Sequence, residues 1–214
     1  MGQGTVSGRL PAGIAAAAFD LDGTLVDSGL DFRAIRRELG FPEGRGLLEH
    51  IATLDDPAAI AHAHAVIEDH EMAGAASARW MPGARELLDC LAVLGVPTAI
   101  LTRNTRAAVE CCRGALRIPV DVVVTREDCL PKPNPDGLYR IARRLRLPVS
   151  SLVYVGDFVY DLQAARAAGA LACLYRYGDN SRFAEQADWV VDHLEEVADA
   201  FRRARGEAAG AGNG

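Results

Sequence analysis

Short, unbroken apolar runs alternate along this chain with longer stretches in which apolar residues recur every three to four positions. The runs fall at 14–19, 97–101, 121–124, 152–155, 171–175 and 189–191. A continuous run of about 4–6 apolar residues marks a strand covered on both faces. Helical spacing occupies 83–94, 105–116, 135–145, 162–168 and 194–205. Strand–helix–strand alternation of this kind predicts an α/β fold, a mostly parallel sheet flanked by helices. One connection breaks the rhythm. About fifty residues, 28–80, separate the first strand from the next core helix, too many for a structureless loop. Helical patterns near 32–39, 46–51 and 57–76 make this stretch a small α-helical insertion after the first strand, expected over the carboxyl end of the sheet. The core is then 14–27 and 81–205. The Gly-rich, aperiodic ends 1–13 and 206–214 are expected to be flexible tails.

Composition narrows the class without changing the fold. The 214 residues are 50% hydrophobic and 24% charged, ordinary for a folded soluble chain. A net charge of −6 without a basic block argues against gripping a nucleic-acid backbone. No apolar stretch approaches the ~20 residues that span a bilayer, so no membrane partner is expected. The first residues lack the apolar segment of a signal peptide, and Val6 stands where myristoylation needs Ser or Thr. The five cysteines, Cys90, Cys111, Cys112, Cys129 and Cys173, are odd in number and form no C-x-x-C pair. Reduced, mostly buried thiols in a cytoplasmic protein are expected.

Open α/β sheets bind ligands beyond the carboxyl ends of their strands. Past the first strand lie Asp20, Leu21, Asp22, Gly23 and Thr24. Thr102, Arg103 and Asn104 follow the second, Lys132 the third, and Gly156-Asp157 with Asp161 the fourth. Acids gathered beside a hydroxyl and a lysine suit phosphate esters. One carboxylate can attack phosphorus, splitting one hard step into two. A second, two residues on, can protonate the leaving oxygen and then activate water. Carboxylates meeting a phosphate need a cation between them, and Mg²⁺ accepts few protein carboxylates together with substrate oxygens. Thr102 and Lys132 are placed to hold phosphate oxygens, and Gly23 lets backbone N–H groups approach. Other polar clusters read as ordinary surface. His62, His64 and His70, with Glu68, Asp69 and Glu71, read as a solvated helix face. Arg140, Arg143, Arg144 and Arg146 read as an outer helix face, and Cys111-Cys112 as core packing. Arg33, Arg36 and Arg37 open the insertion, where an arginine can meet a substrate carboxylate or second phosphate.

These residues resemble the four motifs of the haloacid dehalogenase (HAD) superfamily. Asp20-Leu21-Asp22-Gly23-Thr24-Leu25-Val26-Asp27-Ser28 is similar to motif I, Thr102 to motif II, Lys132 to motif III, and Gly156-Asp157 with Asp161 to motif IV. The insertion resembles the short helical C1 cap of the phosphoglycolate phosphatase-like branch. The resemblance implies a HAD-like (Rossmann-like) core and Mg²⁺-dependent hydrolysis of a small phosphorylated metabolite through an aspartyl-phosphate. Asp20 would be the nucleophile and Asp22 the general acid/base. Asp20, the Asp22 carbonyl and Asp157 would hold Mg²⁺, with Asp161 orienting Lys132 or a metal-bound water. Thr102 and Lys132 would bind the phosphoryl group with the N–H groups of Leu21 and Asp22. Dehalogenating relatives lack an acid at the position of Asp22, so ester hydrolysis is favoured. A phosphomutase, or a catalytically silent member that binds a ligand or partner, shares the pattern. Two positions depart from it: Phe158 carries no hydroxyl where motif IV commonly has Ser, and Arg103-Asn104 add a cation and an amide at the mouth.

Overall fold

Every backbone N–H and C=O in a buried apolar run needs a partner, and six of the runs find theirs in one another. The computed structural model describes residues 10–211, and side chains through residue 206. The strands are β1 (Ala16–Phe19), β2 (Val26–Asp27), β3 (Arg79–Trp80), β4 (Thr98–Leu101), β5 (Val122–Val124), β6 (Leu152–Gly156), β7 (Leu171–Tyr175) and β8 (Trp189–Val191). The helices are α1 (Phe32–Leu39), α2 (Leu47–Ile51), α3 (Pro57–Ser77), α4 (Ala84–Val93), α5 (Arg106–Leu116), α6 (Asp136–Leu145), α7 (Val159–Ala168) and α8 (Leu194–Ala211). Six strands form an all-parallel sheet in the order β5-β4-β1-β6-β7-β8.

Side chains alternate across the pleat, so each strand feeds two cores. Phe19, Ile100, Val155 and Tyr175 face α4, α5 and α8, where Leu87, Val109 and Phe201 complete one cluster. Ala18, Leu101, Tyr154 and Leu174 face α6 and α7, packing on Leu138, Ile141 and Leu162. The strand order places β1 between β4 and β6, and the chain leaves these two neighbours toward opposite edges of the sheet. A crevice opens at that reversal, beyond the carboxyl ends of the central strands.

Between β2 and β3 the chain makes α1, α2 and α3, with an apolar cluster of their own built on Ile35, Leu47, Val66 and Ile67. Asp31 and Asp56 cap α1 and α3 through their carboxylates. α3 also lies along α5, and its Ala75 joins the main core. The antiparallel β2–β3 ribbon, Val26 opposite Trp80, ties the two ends of this segment together. Two-residue strands carry too few positions to show a period, so the ribbon left no mark in the hydrophobic pattern.

Both tails need correction where they are described. The helix expected to stop at residue 205 runs on through Ala211. Leu194, Val197 and Phe201 anchor it in the core, and beyond them Glu and Ala extend a formed helix at little cost despite the glycines. Near the other end, Leu10 is buried against the main core, so the expected tail is fixed there; residues 1–9 lie outside the described residues. α7 begins at Val159, three residues earlier than its apolar spacing suggests, because Asp161 accepts a bond from the Phe158 N–H (3.0 Å). All five cysteines are free, with Cys112 and Cys173 buried. No helix among the described residues is long and apolar enough to cross a membrane.

Candidate active site

β1 delivers Asp20 to the crevice while its backbone is still in the sheet, the Asp20 N–H donating to Val155 O (2.9 Å). The chain then turns sharply. Leu25 and Val26 both donate to Leu21 O (2.9 Å each), and Gly23 sits at φ +78°, where a side chain is rarely accommodated. A Cβ there would lie 2.5 Å from Asp157 Oδ2, so the turn and the β6 carboxylate fit only around a glycine. Thr24, fully buried, donates to Asp157 Oδ1 (3.4 Å).

Lys132 is the centre of the polar network. Its Nζ is buried and lies 2.7 Å from Asp20 Oδ1, 2.6 Å from Asp161 Oδ1 and 2.9 Å from the Tyr154 hydroxyl. Asp20 Oδ1 also accepts from the Leu21 N–H (2.7 Å), which fixes the plane of that carboxylate. Burial alone would pull the Lys132 pKa down, but Asp161 and Asp20 more than offset it and hold the ammonium charged. Burial pushes Asp20 well above the usual carboxylate range, against the pull of Lys132. Asp157 is pushed up to about 7, by burial first and then by the charge of Asp161. Oxygens of Asp20, Asp157 and Asp161 all lie within 4.8 Å of one another. Carboxylates so crowded and desolvated are the donor set that a hard divalent cation offsets.

Asp22 faces the same cavity with both oxygens held, Oδ1 by the Ser28 hydroxyl and Oδ2 by Asn104 Nδ2 (2.6 Å). Burial raises its pKa, and the two donors pull it partly back. Thr102, buried at the end of β4, lines the cavity and accepts from the Asn104 N–H (3.2 Å). Of the residues expected at the mouth, Asn104 therefore serves Asp22. Arg103 does not offset the acids of the crevice: its guanidinium pairs with Glu49 of α2 (2.7 Å) and lies over the Tyr160 ring (4.8 Å to the centroid). The insertion supplies a partner that the sequence order could not place.

Several contributors were not singled out from the sequence. Tyr154 accepts from Lys132 and lies 2.9 Å from Leu101 O, yet in an apolar strand it reads as a core ring. Asn180, from the loop after β7, donates to the carbonyls of Asp157 (2.8 Å) and Tyr175 (2.9 Å) and holds the β6 turn in place. Glu71 corrects the reading of α3 as solvated there. It is buried, pairs with Arg126 and accepts from the Thr105 N–H (3.0 Å), joining α3 to the core. Its position was a signal: Ala63, Val66, Ile67, Glu71 and Ala75 share one buried stripe. His62 and His64 are exposed as expected, and His70 bonds Glu38 of α1 (2.8 Å).

The site lies in a cavity of about 580 Å³. Asp20, Asp22, Thr102, Lys132 and Asp157 line it from the sheet, and residues of α1, α2 and α3 face them.

Known proteins resemble this chain in sequence and in fold. A family model described as haloacid dehalogenase-like hydrolase matches residues 14–169. A haloacid dehalogenase-like hydrolase domain-containing protein of Arabidopsis thaliana is 30% identical over 202 residues, covering 86% of this chain and 82% of its own length. A phosphoglycolate phosphatase of Chromobacterium violaceum is 32% identical over 222 residues, covering 88% of this chain and 97% of its own. Among solved structures, CbbY from Rhodobacter sphaeroides, in complex with xylulose-1,5-bisphosphate, superposes with a TM-score of 0.69 at 25% identity, covering 85% of this chain and 95% of its own.

Proposed function

The chain belongs to the haloacid dehalogenase-like hydrolases and is a phosphatase of that family, and from that premise we propose that it hydrolyses small phosphorylated metabolites with Asp20 as nucleophile. The observation that carries this reading is the Asp20 carboxylate at the end of β1, locked by Lys132 and Leu21 N–H, with Asp22 two residues on in the same cavity. Asp20 attacks phosphorus in line; the P–O bond to the alcohol breaks as an aspartyl-phosphate forms. Asp22 gives its proton to the departing oxygen. It then takes a proton from the water that attacks the phosphoryl group, releasing phosphate and restoring Asp20. Its raised pKa keeps a larger protonated fraction near neutral pH than a free carboxyl would have. Thr102, Lys132 and the Asp22 N–H hold the phosphoryl oxygens, while the Leu21 N–H stays on Asp20 Oδ1.

Asp20 and Asp157, with the Asp22 carbonyl, would hold Mg²⁺, and Asp161 keeps Lys132 in place at 2.6 Å. The bound ion supplies Lewis-acid neutralisation of the phosphoryl charge. The helical insertion 28–80 serves as a cap over this site. The test is release of free phosphate by the purified chain from a panel of phosphomonoesters. Turnover is expected with Mg²⁺, a loss of at least about 100-fold on chelation, and recovery when the ion is returned. No turnover of any ester, or turnover indifferent to chelation, would sink the reading. Phosphoryl transfer to a second alcohol without free phosphate would mark a mutase instead.

Gly23→Ala gives a second check. Left-handed backbone costs a side chain about 1–2 kcal/mol, and the new methyl would displace Asp157. Phosphate release should fall at least about tenfold while the Mg²⁺ concentration for half-activation rises, because a metal ligand has moved. An unchanged Mg²⁺ requirement would show that the turn does not set the position of Asp157.

A further inference from the structure

Five cationic side chains line the cavity: Arg36, Arg45, Arg103, Arg126 and Lys132. Three are already matched by carboxylates, Lys132 by Asp20 and Asp161, Arg103 by Glu49, and Arg126 by Glu71. Arg36 and Arg45 are not matched by any carboxylate among the described residues. Arg36 bonds only backbone carbonyls, of Phe32 (3.2 Å) and Arg45 (3.2 Å), and its Nε is buried without an acceptor. A guanidinium has five N–H donors, and two of these are used. Buried donors are nearly always satisfied, and the planar fork of arginine matches carboxylate and phosphate oxygens. Arg45 sits beside it, its own guanidinium reaching only the Thr53 hydroxyl (3.4 Å).

Placement gives this surplus charge a meaning. Arg36 and Arg45 stand on the α1–α2 wall, whereas Asp20, Thr102 and Lys132 stand on the sheet wall of the same cavity. Apolar Phe32, Leu48 and Ile67 also line it, a surface suited to a carbon skeleton. We propose that Arg36, with Arg45 beside it, binds a second anionic group on the leaving-group end of the substrate. The preferred substrates are then phosphate monoesters that also carry a carboxylate or a further phosphate. The proposal rests on the phosphatase reading above, and about 580 Å³ accommodates either kind.

The test is steady-state kinetics with Mg²⁺ on two matched pairs: phosphoglycolate against 2-hydroxyethyl phosphate, and a sugar bisphosphate against the corresponding monophosphate. In one pair kcat/KM is expected to favour the doubly anionic ester at least about tenfold, and which pair shows it tells carboxylate from phosphate. Arg36→Met should collapse that ratio toward one, chiefly through KM, and Arg36→Lys should keep part of it, since charge survives without the fork. Arg33→Met, on the same helix but exposed and outside the cavity, should keep the wild-type ratio. Arg45→Met should lower the ratio less than Arg36→Met, and with Arg36→Lys it carries the test if Arg36→Met does not fold. The proposal falls, with the phosphatase reading intact, if the neutral esters are turned over and neither pair shows a preference. It falls too if Arg36→Met lowers both members of a pair equally. Absence of turnover on every ester overturns both readings together.

Discussion

Asp20→Asn is expected to reduce phosphate release at least about 10⁴-fold, or roughly 5.5 kcal/mol of barrier, while leaving the fold as stable as before or more so. The two halves of this result come from the same geometry. An amide is isosteric with the carboxylate, so its oxygen can still accept from the Leu21 N–H and from Lys132. It cannot act as the nucleophile, and no aspartyl-phosphate forms. Burial drives the native Asp20 well above the ordinary carboxylate range, and Asp161 and Asp157 add to the strain. Removing one negative charge from that cluster relieves it, the usual exchange of activity for stability at a site built against its own electrostatics. Phosphate assays give the first half and thermal melting the second. Acid-quenched wild-type protein mixed with substrate should carry one phosphoryl group on the peptide containing Asp20, and the variant none. Residual activity above about one per cent of wild type would remove Asp20 from the role of nucleophile.

The parts of this site visible in the sequence share one property: each stands just beyond a strand that the apolar pattern already marked. Asp20, Thr102 and Asp157 follow β1, β4 and β6, and a parallel sheet brings such positions together whatever lies between them. Lys132, past the third run, and Asp161, four residues after Asp157, come from the same rule, and the resemblance supplied only their roles. What remained hidden depends on tertiary packing. Arg103 looked like a cation for the crevice because nothing in the order of residues placed Glu49 against it. Tyr154 is indistinguishable by pattern from its apolar neighbours on β6 until Lys132 is seen on its hydroxyl. Asn180 reaches the Asp157 carbonyl from 23 positions away in a loop without periodicity. Glu71 was legible and misread: grouping it with His70 and Glu68 by sequence proximity hid its place on the buried stripe of α3. The insertion shows the same limit, since its helices were plain but its attachment by β2–β3 and by Glu71 was not.

Lys132→Met is expected to be the most damaging change to stability as well as to activity. The ammonium is nearly inaccessible and sits within 2.7 Å of two carboxylates, Asp20 and Asp161. Breaking a buried ion pair by removing one partner costs about 3–5 kcal/mol, because the remaining charge stays buried without compensation. For a chain of this size that is a fall of roughly 6–20 °C in the melting midpoint. Phosphate release should drop about 10²–10³-fold from loss of a positive charge at the phosphoryl group. The pH dependence identifies the cause. Lys132 lowers the pKa values of both Asp20 and Asp157, so without it these carboxyls rise further above their unfolded values. The native variant then binds more protons than its unfolded chain between the two sets of pKa values, and its stability declines as pH rises through that window. Its deficit against wild type should therefore be smaller near pH 5 than near pH 8. Asp161→Asn placed on Lys132→Met should recover part of the loss, since the two side chains share one interaction. A deficit equal at both pH values, with no rescue by Asp161→Asn, would mean that Met fails there through shape rather than charge. Lys132 would then be a packing element of the crevice rather than the cation that lets its acids stay together.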